Sequence, residues 1–145
     1  MKLSLLIITW VMLLTVATAV AVENIAVVKQ VEGTVKVKRA GEVFEVAQSD
    51  RLLVGDLLMT GSDGRIGIIF HDGSILSLAE QSFLRLKAFQ FKPLEKQFDF
   101  KLNLEKGSAL FQSGKIGTLA PERFSLELPQ GTIGIRGTRF LVEVR

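Results

Sequence analysis

At 145 residues, with 18 Lys and Arg against 15 Asp and Glu, one histidine and no cysteine, the chain has the length of one domain and a nearly balanced charge. The missing cysteines exclude thiol catalysis and cysteine metal sites. The charge balance gives no clustered positive field with which to follow nucleic acid phosphates, so nucleic-acid binding is not expected. A compact fold of this size buries roughly two thirds of its unfolded surface, enough for a core that owes nothing to disulfides.

Lys2 precedes an uncharged run from Leu3 to Val22, and Ala17-Thr18-Ala19 or Ala19-Val20-Ala21 supplies small residues at the spacing a signal peptidase reads. The pattern predicts a signal peptide over residues 1–21. The alternative is an uncleaved membrane anchor, because twenty apolar residues reach roughly 30 Å as a helix. In both cases the domain, residues 22–145, lies outside the cytoplasm. Without Lys2, 17 basic and 15 acidic residues remain.

Ile25 to Val31 is apolar, Glu32-Gly33 breaks it, and Thr34 to Lys38 alternates with period two, which predicts a half-exposed hairpin with Lys36, Lys38 and Arg39 on its solvated face. Gly41 turns the chain, and Phe44 and Val46 form a short inward pair. Asp50 to Thr60 is a connector leading into a strand, and Gly61 to Gly64 is a turn cluster. Asp72-Gly73 then separates two apolar runs as a two-residue hairpin turn, with His71 facing Ser74. In that register Ile66, Ile68 and Phe70 share a face with Ile75 and Ser77, and Ile69 shares the other with Leu76 and Leu78. Both faces are greasy, so each requires a cover.

Ser82 to Lys87 predicts a strand with Leu84 and Leu86 on one side, although Ala79 to Lys87 also admits one helical turn. Pro93 interrupts the chain. Gln97 to Glu105 alternates most regularly, with Phe98, Phe100, Leu102 and Leu104 on one face, and Gly107 is expected to end it. Ala109 to Phe111 is a short apolar run, Ser113 to Gly117 is turn-like, and Phe124, Leu126 and Leu128 alternate up to Pro129. In the last segment Ile133 and Ile135 are out of phase with Phe140, Val142 and Val144, so the chain must bulge or turn near Arg136-Gly137-Thr138. These elements give an all-β fold of short antiparallel strands, arranged as a sandwich, a jelly-roll-like roll or a short β-solenoid.

Chemistry is sparse. His71 is the sole candidate for a catalytic triad, and no Gly-x-Ser-x-Gly elbow accompanies it. Asp50, Asp56, Asp63 and Asp72 match neither zinc nor calcium spacing. Gly107 to Lys115 lacks phosphate-loop spacing, and Gly131, Gly134 and Gly137 lack the dinucleotide pattern. No catalytic residue, cofactor or metal is assigned. A hydrolase built from scattered carboxylates is the weakest of the three functional readings. Arg136 is the residue to single out: flanked by glycines, its fork suits an anion or a partner's carboxylate, or else it caps the bulge and pairs within the domain.

Val54-Gly-Asp-x-Leu-x-Thr, Gly64-Arg-Ile-x-Ile-x-Phe-x-Asp-Gly-Ser-x-Leu-x-Leu, Ser82-x-Leu84-x-Leu86, Gly107-x-Ala-Leu-Phe and Thr132-Ile-Gly-Ile-Arg-Gly-Thr-x-Phe-x-Val together resemble the FecR domain family. The resemblance spans Val31 to Val144. It implies an all-β extracytoplasmic domain of envelope proteins with no known catalytic role, whose namesakes sense ferric-siderophore uptake and control a sigma factor. The cytoplasmic N-terminal region and the further C-terminal region of those namesakes are not in this sequence, so sigma-factor control is not carried over. Asp72, Gly73, Arg136, Gly137, Thr138 and Arg139 are the family-motif residues expected at an interaction surface. The leading expectation is a non-enzymatic, exported sensory or binding module. It would face an envelope protein or glycan in the periplasm, or be membrane-anchored or secreted. The alternative is an envelope assembly protein that self-associates through strand edges.

Overall fold

The computed structural model describes residues 19–135 and 138–145, so most of the predicted signal peptide, together with Arg136 and Gly137, lies outside the described residues. From Asn24 on, the period-two alternation of the described residues becomes twelve strands joined edge to edge in one sheet that curls into a half-barrel. The all-β expectation of mostly antiparallel strands holds, and their arrangement is one curled sheet.

β1 (Asn24–Glu32) and β2 (Val35–Arg39) do not form the predicted hairpin. Gly33, at φ +60°, packs against Asp63: a Cβ there would stand 2.2 Å from the Asp63 carbonyl oxygen. The chain turns away at that point, and β2 enters the opposite arm of the sheet. β2 instead pairs with β3 (Glu42–Glu45) across Ala40 (φ 49°) and Gly41 (φ 83°), the two positive φ values that a tight hairpin turn requires. β3 is exposed throughout, so Phe44 does not point inward as expected. Its ring lies under the Arg39 guanidinium at 5.1 Å, and Val46 alone of the pair is buried.

β4 (Arg51–Leu53) and β5 (Leu57–Thr60) follow, then β6 (Arg65–Phe70) and β7 (Ile75–Leu78), which form the central hairpin in a different register from the predicted one. Ile69 faces Ile75 and Ile68 faces Leu76. The loop is three residues, His71-Asp72-Gly73, closed by Phe70 N–H donating to Ser74 O at 2.9 Å and Gly73 N–H donating to Phe70 O at 2.9 Å, with Gly73 at φ +85°. One residue of slip exchanges faces. Ile66, Ile68, Phe70, Leu76 and Leu78 are all buried, while Ile69, Ile75 and Ser77 look outward. The hairpin therefore needs one cover, not two.

β8 (Phe83–Lys92) is strand throughout, not a helical turn, and its register shifts around Lys87, so the inward phase passes from Leu84 and Leu86 to Phe89. A 3-10 turn at Pro93–Glu95 returns the chain into β9 (Gln97–Gln112). Gly107 does not end β9 but bends it. At φ +96° it changes the inward phase from Phe100, Leu102 and Leu104 to Ala109 and Phe111. A short helix, α1 (Ile116–Leu119), leads into β10 (Phe124–Leu128), β11 (Gly131–Ile133) and β12 (Arg139–Val144). β11 and β12 occupy different arms, which accommodates the phase change read in the sequence.

β9 belongs to both arms. Its second half continues the first arm, β4-β1-β6-β7-β9-β12, and its first half continues the second, β3-β2-β5-β8-β9-β10-β11. Among the described residues every pairing is antiparallel except β9 with β10. Phe100, fully buried on β9, meets Phe70 at 4.6 Å, Phe89 at 4.9 Å, Phe124 at 5.2 Å and Phe111 at 5.7 Å between ring centroids, tying both arms into one core. Truncating such a ring costs about 3–5 kcal/mol.

Across the seam, Arg39 closes the curl. Its Nε and Nη2 donate to the two carboxylate oxygens of Asp56 at 2.8 and 2.7 Å, and Nη2 also donates to Arg51 O at 3.1 Å, so β2 is fastened to the β4–β5 corner. The Asp56 side chain is fully buried and that of Arg39 is 34% exposed. Arg39, expected on a solvated face, is therefore half-buried and paired.

Candidate functional site

The hairpin loop is built around the buried carboxylate of Asp72. It accepts Ser74 N–H at 3.0 Å, Ser74 Oγ–H at 2.7 Å and Ile116 N–H at 3.2 Å, while the Asp72 carbonyl accepts Lys115 N–H at 2.8 Å. Ser74 Oγ in turn accepts Gly114 N–H at 2.8 Å. Gly114 must be glycine, because a Cβ would stand 2.4 Å from both Asp72 O and Ser74 N. Asp72 thus clamps the chain after β9 onto the β6–β7 loop.

The same segment reaches the last motif. Ser113 N–H donates to Thr138 O at 2.8 Å, and Gln112 lies between Ile75 on one side and Arg139 on the other. The structure therefore gathers Asp72, Gly73, Thr138 and Arg139 at one end of the first arm. Arg136 and Gly137, singled out from the sequence, lie outside the described residues. His71 is exposed, and its Nε2 lies 2.9 Å from Asn24 Oδ1.

The other motif polar groups serve the scaffold too. Thr60 Oγ1 donates to Ala79 O at 2.6 Å and accepts Ser82 N–H at 2.8 Å, and Ser82 Oγ accepts Ser108 N–H at 3.0 Å beside the Gly107 bend. Asp56 accepts Leu53 N–H at 2.8 Å in addition to Arg39, and its hydrogen bond is the main reason the Arg39 guanidinium is held above its usual pKa. Among the described residues, no buried side-chain nitrogen or oxygen lacks a partner, and no three His, Asp or Glu side chains are grouped to hold a metal ion. Sequence reading missed Arg39, Ser82, Gly114 and Ile116 as partners. A lone arginine on a Lys-rich strand, or an isoleucine's backbone N–H, carries no mark of a contact made far along the chain.

The surface these residues support is the outer face of the first arm. One row crosses all six strands as Arg51, Val27, Ile69, Ile75, Gln112 and Arg139, paired in that order. At about 4.8 Å per strand it spans roughly 24 Å. Ile75 is 40% exposed at its centre, and the two arginines at its ends are exposed. In the neighbouring row Gly67 and Ser77, with little side chain to fill the space, leave a depression of about 330 Å³ bounded by Leu110, Leu141 and Arg65. Arg65 pairs with Glu80 at 2.6 Å. The Glu80 carboxyl is held below the usual carboxylate range first by its own backbone N–H and then by that arginine.

No curated protein and no solved structure matches the chain. The family described as FecR protein matches residues 56–145, from the Asp56 carboxylate that holds the seam, through the Asp72 loop and the shared strand β9, to the end of β12. That match covers more than half of the chain and takes in the elements around which the half-barrel is assembled, so the protein belongs to the FecR family.

Proposed function

We propose that this chain is an exported, non-catalytic sensory and binding module of the cell envelope that presents the outer face of its first arm to a protein partner. FecR proteins are envelope-associated and of a sensory or signalling type, and the family is not known as enzymatic. Among the described residues no helix is long and apolar enough to cross a membrane.

The observation that carries the reading is the Arg51-to-Arg139 row, an apolar centre bracketed by two cations on a stiff sheet. The buried motif carboxylates and hydroxyls are spent on backbone groups of the fold, which leaves recognition to side chains that look outward. Such a face suits a partner with exposed aliphatic groups flanked by acids, because apolar contact supplies affinity and flanking charge sets orientation and encounter rate. A protein fits better than a glycan. The sequence has no tyrosine, and its one tryptophan is Trp10, far from this face in the chain, so the row offers no indole or phenol on which a sugar ring could stack.

The test is a photo-crosslinking residue placed at position 75 in living cells, followed by binding of the captured protein to purified wild type, to Ile75→Glu and to Lys101→Glu on the other arm. The expected result is at least tenfold weaker binding for Ile75→Glu and no change for Lys101→Glu. Equal affinity for wild type and Ile75→Glu would refute the assignment of this face.

A further inference from the structure

Among the described residues β12 pairs with β9 alone, so its other edge is open. The direction of its backbone groups follows from the ladder. Ser113 N–H donates to the directly opposed Thr138 O, so positions 138, 140, 142 and 144 turn their N–H and C=O groups toward β9, and positions 139, 141 and 143 turn theirs outward. The far side of β9 agrees, because Ala79 N–H donates to the opposed Ser108 O, which commits the even positions of β9 to β7 and leaves the odd ones for β12.

The residues on that open edge are self-complementary. Reading from Arg139 to Glu143, a cation and an anion stand two positions either side of Leu141, which is 71% exposed. We propose that β12 pairs antiparallel with β12 of a second copy of this chain about a two-fold axis through Leu141. In that register Arg139 faces the partner's Glu143, Glu143 faces the partner's Arg139, and the two Leu141 side chains meet at the axis. Each of these pairs exchanges the backbone bonds that now point outward. A slip of two residues in one direction sets Arg139 opposite the partner's Arg145, so charge selects the register. Glu143 now lies 3.5 Å from Arg145 with both side chains well exposed, a contact weak enough to yield.

Pairing this edge joins the first arms of two copies into one continuous sheet and carries the outer rows across the axis. It also covers an open strand rich in apolar residues, which soluble proteins otherwise protect with charge, proline or a bulge. The inference shares Arg139 and Leu141 with the proposed partner face but rests on the strand's backbone edge, and its charge-swap test leaves Ile75, the probe of that face, untouched.

Sedimentation velocity at micromolar concentration tests it, on the chain expressed with its own N-terminal segment and purified as the cell processes it. Wild type is expected to be a dimer, and Arg139→Glu and Glu143→Arg are each expected to dimerise at least tenfold more weakly, because each sets like charges across the axis. An equimolar mixture of the two is expected to recover the dimer, since acids on one copy then meet bases on the other. The double variant Arg139→Glu/Glu143→Arg should dimerise alone and covers the case in which a single variant folds poorly. A monomeric wild type, association untouched by either substitution, or a mixture that stays monomeric would overturn the proposal.

Discussion

Replacing Arg39 tests whether one guanidinium closes the half-barrel. In Arg39→Ala the Asp56 carboxylate, fully buried, keeps Leu53 N–H but loses both arms of its fork, and Arg51 O loses its donor. Removing one partner of a fully buried ion pair costs about 3–5 kcal/mol. Here the arginine is a third exposed and water can reach part of the gap, which lowers the expected loss to about 2–4 kcal/mol. With a urea dependence of about 2 kcal/mol per M, the unfolding midpoint should fall by roughly 1–2 M. Arg39→Lys keeps the charge but loses the fork, and should lie between wild type and Arg39→Ala. Combining Arg39→Ala with Asp56→Ala should cost less than the two single losses added together, because the double variant no longer buries an unpaired charge. A midpoint for Arg39→Ala indistinguishable from wild type would refute the seam argument, since no other side chain in the described contacts ties β2 to both Arg51 and Asp56.

Gly107→Ala should destabilise by about 2–5 kcal/mol, combining left-handed strain with overpacking against Ser82, whose Oγ lies 2.1 Å from the new Cβ position. Urea unfolding followed by far-ultraviolet circular dichroism reads the loss, and an unchanged midpoint would mean that the strand does not bend there as described. Asp72→Ala leaves the amides of Ser74 and Ile116 without their acceptor and should cost about 2–4 kcal/mol. It should also speed hydrogen exchange at Ile116 well beyond any change at Leu102. Uniform acceleration at both amides would instead indicate loss of the global fold without a local clamp.

The strand inventory was legible because period-two alternation admits few alternatives when it is as regular as Gln97 to Glu105. Partner choice was not. Asp72-Gly73 has the composition of a two-residue turn, yet the Asp72 carboxylate is occupied by Ile116 N–H from 44 residues away. The loop closes as three residues and the faces exchange. β1 and β2 look like a hairpin locally, but the close approach of Gly33 to Asp63 sends them to opposite arms, a contact that only the folded chain reveals. Gly107 has the look of a strand terminus, since sequence alone does not distinguish a glycine that stops a ladder from one that bends it. In the candidate site, Asp72 and Arg139 were found as motif residues. The geometry around Asp72 depended on the Ser74 and Ile116 amides and on Gly114 N–H held by Ser74 Oγ, whereas Arg139 is placed by its pairing with Gln112.

Because β9 is the strand the two arms hold in common, the order in which the polypeptide is made matters. Emerging N-terminus first, the chain presents β7 and β8 while the strand that pairs with both has yet to arrive: the β8 edge is completed only at residue 106 and the β7 edge only at residue 112. Until then β7 and β8 each keep one unsatisfied margin, the condition in which β-rich chains stick to one another. A holdase that shelters the growing chain until β9 has arrived would therefore raise the yield of native protein more than one acting on the finished molecule.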